Sequence, residues 1–228
     1  TKRLTPRDLD HAARAAVALD RFIEQRSLDG MAYYYEATPD SEMRNLVTSF
    51  IVGNSLLCAQ GFPMCGELDI KTCIAMLIMD RLGVGGSFAE FHPIDFAEGF
   101  ILVGHDGPHH VGIADGKPVL RSLTQYHGKP GGGASVEFKL KEGPISMLGI
   151  TSTFEGRHRL VAAGGGSGSE PLARTGTRSS RAFFSPDPVT FFSRWVAEGP
   201  THHFALGIGH HAEALRAVGQ CLGVETVV

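Results

Sequence analysis

The sequence predicts an α+β fold: a partial α/β (Rossmann-like) layer over residues 1–85, followed by an antiparallel β-barrel domain with terminal helices over residues 86–228. Three observations predict it. Long stretches before residue 85 carry apolar residues at helical spacing. From about Gly86 the pattern shortens into β-type runs separated by Gly and Pro, which suits an antiparallel barrel or sandwich better than further βαβ units. Two helical stretches then return near the C-terminus around one more apolar run.

The first helix is read from LTPRDLDHAARAAVALDRFIEQR, with Thr5 as cap, Pro6 at the first helical position and Asp8 in the first turn, where the helix dipole favours negative charge. MAYYYE reads as a short strand. PDSEMRNLVTSFIVGNSLLCAQ reads as one helix capped at Asp40 or Ser41, and GFP breaks it. In DIKTCIAMLIMDRLG, apolar residues at 70, 73, 74, 77 and 78 mark a helix with one buried face, ended by Gly83. GFILVGH, HVGIAD, PVLRSL, ASVEFKLK, PISMLGITST and HRLVAA are the expected strands, and Asp115-Gly116 suits a type I′ hairpin turn. Residues 162–171, AAGGGSGSEP, have the composition of a surface loop. DPVTFFSRWVAEG and GHHAEALRAVGQCLG are the terminal helices, THHFALG lies between them, and VETVV closes as a strand.

Composition bounds the function. The chain has 228 residues, is 43% hydrophobic and has a formal net charge of -3, so it can bury a sizeable core. Its Lys and Arg are scattered rather than blocked, which gives no electrostatic reason to expect nucleic acid or a membrane surface. No apolar run approaches the roughly 18 residues of a membrane span. A soluble, cytoplasmic protein is the expectation. Cys58, Cys65, Cys73 and Cys221 show no CxxC spacing and are read as structural free thiols. The opening, Thr1 followed at once by a helix, suggests the later part of something longer.

Chemistry points to acids and imidazoles. Glu67 follows Gly66 at an expected helix start, where a carboxylate is favoured for purely structural reasons too. Asp69 suffices as the cap. Glu90, in GGSFAEFHP, is expected in a loop among apolar neighbours, where an isolated charge is costly unless paired or metal-bound. Seven of the 11 histidines fall in two clusters, His105, His109 and His110 in VGHDGPHH and His202, His203, His210 and His211 in GPTHHFALGIGHH. No spacing matches HExxH or a CxxC/HxxxH template. Two carboxylates with imidazoles from distant segments suit a mixed oxygen and nitrogen site for manganese, iron or a similar ion.

GELDIKTC, SFAEF, LVGH and GPTHHFALG, in that order over roughly residues 40–212, resemble the C-terminal half of the L-arabinose/L-fucose isomerase superfamily. KEGPISMLGIT and the run from Arg174 to Arg181 resemble the family's barrel strands. The resemblance implies a metal-dependent aldose-ketose isomerase working through an enediol. Its ligands for Mn2+ (or another divalent cation such as Co2+ or Mg2+) would be Glu67, Glu90, His105 and only one of His202 or His203, because neighbours in a strand point to opposite faces, with His203 preferred. Glu67 and Glu90 would be the catalytic pair that moves the proton between C1 and C2. It also implies a monosaccharide substrate and a homo-oligomer of trimer or hexamer type, or a separate N-terminal half. GELDIKT and SFAEFHP differ from the arabinose and fucose branches, so the sugar is left open. The alternatives are a non-catalytic sugar-binding or assembly module with the same fold, and a metal-dependent hydrolase or lyase.

Overall fold

The computed structural model describes residues 4–36, 41–123, 125–126, 129–169 and 179–228. Helix α1 (Pro6–Arg26) starts as its sequence implies, with the Thr5 side chain accepting from the Asp8 amide and Asp8 reaching back to Thr5. Strand β1 (Met31–Ala32) is shorter than MAYYYE suggests. The expected single helix over residues 41–60 is two, α2 (Glu42–Thr48), capped by Ser41, and α3 (Phe50–Ala59). They part at Ser49, next to Thr48, whose hydroxyl bonds back to the Arg44 carbonyl at 2.8 Å and accepts from the Gly132 amide at 2.9 Å. Such back-bonding bends a helix. Strand β2 (Met64–Cys65) pairs in parallel with β1, and α4 (Ile70–Arg81) is capped by Asp69.

Beyond Gly85 the chain builds β3 (Gly85–Asp95), β4 (Phe100–Gly104), the 3-10 turn Val111–Ile113, β5 (Val119–Ser122), β6 (Gln125–Tyr126), β7 (Lys129–Pro130), β8 (Ala134–Glu137), β9 (Gly143–Ser152), β10 (His158–Ser167), β11 (Ser179–Phe183), α5 (Pro188–Ala197), β12 (His203–Ile208), α6 (Ala212–Leu222) and β13 (Glu225–Val227). Strands β11, β4, β3, β12, β9 and β10 pair in that order, and β10 meets β11 again, closing an antiparallel barrel; β13 adds in parallel to β10. Alternation along the strands sorts side chains to two faces. Ala89, Ile101, Val103, Ile145, Met147, Val161, Ala182, Phe204 and Leu206 fill the inside, with Phe191 and Trp195 of α5 packed on them. Phe88, Leu148, Ile150, Leu160, Ala162 and Ala205 face outward into a cluster with Leu19, Leu57, Met76, Met79 and Leu215. That outer cluster joins the helices before residue 85 to strands after it.

Three expectations are corrected. HVGIAD is a 3-10 turn rather than a strand, and Asp115-Gly116 does not form a type I′ hairpin, because only Gly116 takes a positive φ and β5 pairs with β8 instead. The glycine-rich stretch is not a loop up to Ser167: Gly164, Gly165 and Gly166 continue β10 opposite Ser146, Ile145 and Pro144. The physical reason is close approach, since a Cβ on Gly165 would stand 2.6 Å from Phe184 Cδ1. Gly165→Val is therefore expected to lower stability by about 1–3 kcal/mol through overpacking, measured by urea unfolding. Residues 170–178, including Arg174, lie outside the described residues.

The four cysteines are free, and Cys58, Cys65 and Cys73 are buried. Burial pushes the Cys58 thiol up to about 12, which keeps it an inert core group. Among the described residues no helix is long and apolar enough to cross a membrane.

Candidate metal centre

The site lies where the start of α4 meets the outward face of β3 and β12. Glu90 sits inside strand β3 and not in a loop, which corrects the expectation, and its placement follows from alternation with Phe88 two residues earlier. Its Cα partners across the sheet are His203 on β12 and Gly104 on β4. Three adjacent strands thus bring Glu90, His203 and the segment leading into His105 side by side. Glu67 arrives from the other side. It precedes the helix cap rather than occupying it, with φ +59° at Glu67 and +56° at Leu68. Two consecutive non-glycine residues in the left-handed region cost of order 1–3 kcal/mol each, and such strain gathers at functional sites.

Phe88, fully buried, forms the floor. Its ring centroid lies 4.3 Å from that of His105 and 4.2 Å from that of His203. Gly66 leaves room for it, since a Cβ there would come 3.3 Å from Phe88 Cε1.

On this floor the two oxygens of Glu67 face different partners. Oε2 lies 3.6 Å from His202 Nε2 and 3.7 Å from His203 Nε2. Oε1 lies 3.9 Å from His105 Nε2, which is also 3.9 Å from Glu90 Oε1. Among the described residues, Glu67, His202 and His203 offer ligand atoms within 4.8 Å of one another. Both members of the histidine pair reach Glu67, contrary to the expectation that only one would. The reason is local: His202 stands in a bend just before β12 begins at His203, so strand alternation does not govern it. His202 is 67% exposed at the side chain and His203 1%.

Asp69 has a role that its sequence position concealed. Its carboxylate caps α4 by accepting from the Thr72 amide at 2.9 Å and the Thr72 hydroxyl at 2.7 Å, and Oδ2 also lies 3.2 Å from His203 Nδ1. A carboxylate on Nδ1 holds one proton there, so that the proton given up when the ring becomes neutral is the one on Nε2, whose lone pair then faces the site. The signal available in the sequence was an acid two positions from Glu67, which the cap alone already accounted for. Thr201 adds a strap, its hydroxyl 3.3 Å from that of Thr72 and donating to the His203 carbonyl at 3.1 Å.

The electrostatics follow. Burial works against charge on His203, but Asp69, Glu67 and Glu90 outweigh it and lift it to about 9. Burial also raises Glu90, with His203 opposing and Glu67 adding to the rise. Burial and the neighbouring His203 push His202 down. Asp69, despite burial, is held low by its bonds to His203 and Thr72. In the metal-free protein the His203 proton stabilises the fold fully below its ordinary value of 6.5, and that contribution disappears as pH rises through about 9. A cation must displace the same proton. Mn2+ affinity is therefore expected to climb up to tenfold per pH unit from about 6.5 toward 9 and then level off, as a metal titration across that range would measure.

His203 Nε2 is buried and makes no hydrogen bond among the described residues. An imidazole nitrogen oriented from behind by a carboxylate, with a second imidazole and a carboxylate oxygen close by, fits a divalent cation. No protein-family model matches the chain, and no curated protein matches it. The amides of His109 and His110 donate to Ser55 and Ser87 at 3.0 and 3.1 Å, and His211 lies 2.9 Å from the Ile208 carbonyl through Nε2.

Two clefts flank the site and share Thr201 and His202. One, about 460 Å³, is bordered by Glu67, Asp69 and Lys71. The other, about 330 Å³, runs from Glu90 along Phe91, Phe192 and Val196.

Proposed function

We propose that the protein is a metal-dependent aldose-ketose isomerase, of the kind its resemblance to the L-arabinose/L-fucose isomerase superfamily implies. The observation that carries this reading is the meeting of Glu67, Glu90, His105, His202 and His203 from four separate chain segments at one patch beside open clefts. Glu67 Oε2, His202 and His203 would hold the cation, with Mn2+ favoured by the mixed donor set. When bound, a divalent cation holds two adjacent substrate oxygens and stabilises negative charge on them.

The protein's own groups then account for proton movement. Glu67 Oε1 and Glu90 Oε1 flank a common point near His105 Nε2, so one carboxylate can take the proton from one carbon while the other returns it to the next. The raised position of Glu90 brings it nearer to a proton-sharing role than an exposed glutamate would be. In the same reading the β1–β2 pair with its helices corresponds to the Rossmann-like layer, and a homo-oligomer and a cytoplasmic location are expected.

The test is Mn2+ binding by the protein followed by product analysis over a panel of aldoses. Formation of a ketose of unchanged mass supports the proposal. Stoichiometric Mn2+ binding without turnover points to a sugar-binding module, and a product of altered mass points to a hydrolase or lyase.

A further inference from the structure

Leu68 holds a conformation that its side chain disfavours, at a place where the core has no use for that side chain. Its φ of +56° lies in the left-handed region, which a bulky residue enters only at a cost and which glycine or asparagine enters more readily. The surrounding backbone enforces it. The Leu68 amide donates to the Tyr33 carbonyl at 3.1 Å, the Asp69 amide donates to the Gly66 carbonyl at 3.2 Å, and the Asp69 carboxylate is held by the Thr72 amide and by His203. None of these bonds asks for leucine at position 68. Nor does packing, because Leu68 is 59% exposed. Its neighbour Glu67 carries the same kind of strain, but there the carboxylate gains the company of the site histidines.

The Leu68 side chain instead borders the cleft of about 460 Å³ beside the metal centre. The other residues that line this cleft are polar or charged, and Leu68 together with Ile70, 66% exposed, supplies its apolar surface. A few convergent polar groups beside an apolar wall are what a small-molecule site presents. A sugar matches both parts, with hydroxyls for the polar side and a C–H edge for the wall. We infer that Leu68 is a specificity-determining residue of the site, its side chain giving apolar surface to the carbon chain of the sugar beyond the reacting end. The inference rests on the isomerase reading for the identity of that ligand. It explains the strained leucine, since backbone strain persists where a ligand contact repays it.

The experiment compares wild type with Leu68→Gly, Leu68→Asn and Leu68→Met. In urea unfolding, Leu68→Gly and Leu68→Asn should have midpoints no lower than the parent, because both residues accept a positive φ. Clearly lower midpoints in both make Leu68 a packing residue and overturn the inference. Titration with Mn2+ alone should leave every variant near the parent affinity, and a loss of about 10–100-fold, the size expected for a partner of the metal ligands, overturns it. L-arabinitol, a polyol with no carbonyl to isomerise, should bind the Mn2+-loaded Leu68→Gly and Leu68→Asn proteins about 5–30-fold more weakly than wild type and Leu68→Met about as well, because methionine keeps the apolar wall. For the aldose that the wild type converts, KM should rise in step while kcat stays within about twofold. Parent-like arabinitol binding in Leu68→Gly overturns the inference, and if that variant also changes its state of association the side chain belongs to a contact between chains. If the wild type converts no aldose, the isomerase reading fails and the arabinitol titration decides alone. Weaker binding by Leu68→Gly then keeps Leu68 at a polyol site, and a wild type that binds no arabinitol overturns the inference.

Discussion

Glu67→Gln is expected to lower turnover by about 10²–10⁴-fold while leaving the fold intact. Glutamine keeps the size of the side chain and an oxygen, but it cannot accept and return a proton as the proposed isomerisation requires. The fold should survive loss of the charge, because the Glu67 side chain is 29% exposed and Asp69, not Glu67, caps α4, although the pairing that helps to raise His203 is lost with it. Glu90→Gln should behave alike, since its carboxylate lies equally close to His105 Nε2 at 3.9 Å. Steady-state rates beside unfolding curves make the check. Near-parent turnover in either variant removes that glutamate from proton transfer, and a large loss of stability would mean that the rate says nothing about chemistry.

The second large effect is expected for His203→Ala. Removing this ring takes away the best-oriented candidate ligand of the proposed centre and leaves Asp69 Oδ2 without its imidazole partner at the buried end of the site. Loss of an outer-shell partner alone costs about 10–100-fold in metal affinity, so loss of the ligand itself should exceed that. His203 is 0% exposed, so some stability goes too, about 1.5–3 kcal/mol for a lost hydrogen bond to a charged group, with Asp69 Oδ2 still accepting from the Thr72 hydroxyl. His203→Gln, closer in volume, separates the two effects. Isothermal titration with Mn2+ is the measurement, and a His203→Ala protein that binds Mn2+ like the parent would end the case for this centre.

The helices were legible locally because their determinants are local. The Thr5 cap with Pro6 and Asp8, and the apolar spacing of residues 70 to 78 ended by Gly83, need no distant partner to be understood. The break at Ser49 was not legible, because Ser and Thr can continue a helix or bend it according to what packs nearby. The glycine run failed for the same kind of reason. Gly164 to Gly166 look like a linker until Phe184 is known to lie against them, and only then does the missing side chain become a packing requirement.

By itself the sequence determined the α+β order of elements, the change to short strands near Gly86 and the pool of acids and imidazoles from which a site had to be drawn. The tertiary structure decided which of them meet. Pairing of β3 with β12 sets Glu90 opposite His203, and the left-handed turn at Glu67 and Leu68 swings a third segment onto them. It also decided what each imidazole can do, because the proton on a histidine ring is placed by whatever sits behind it. Asp69 stands behind His203 and the Gly107 amide behind His105, and neither relation is written in the spacing of the residues.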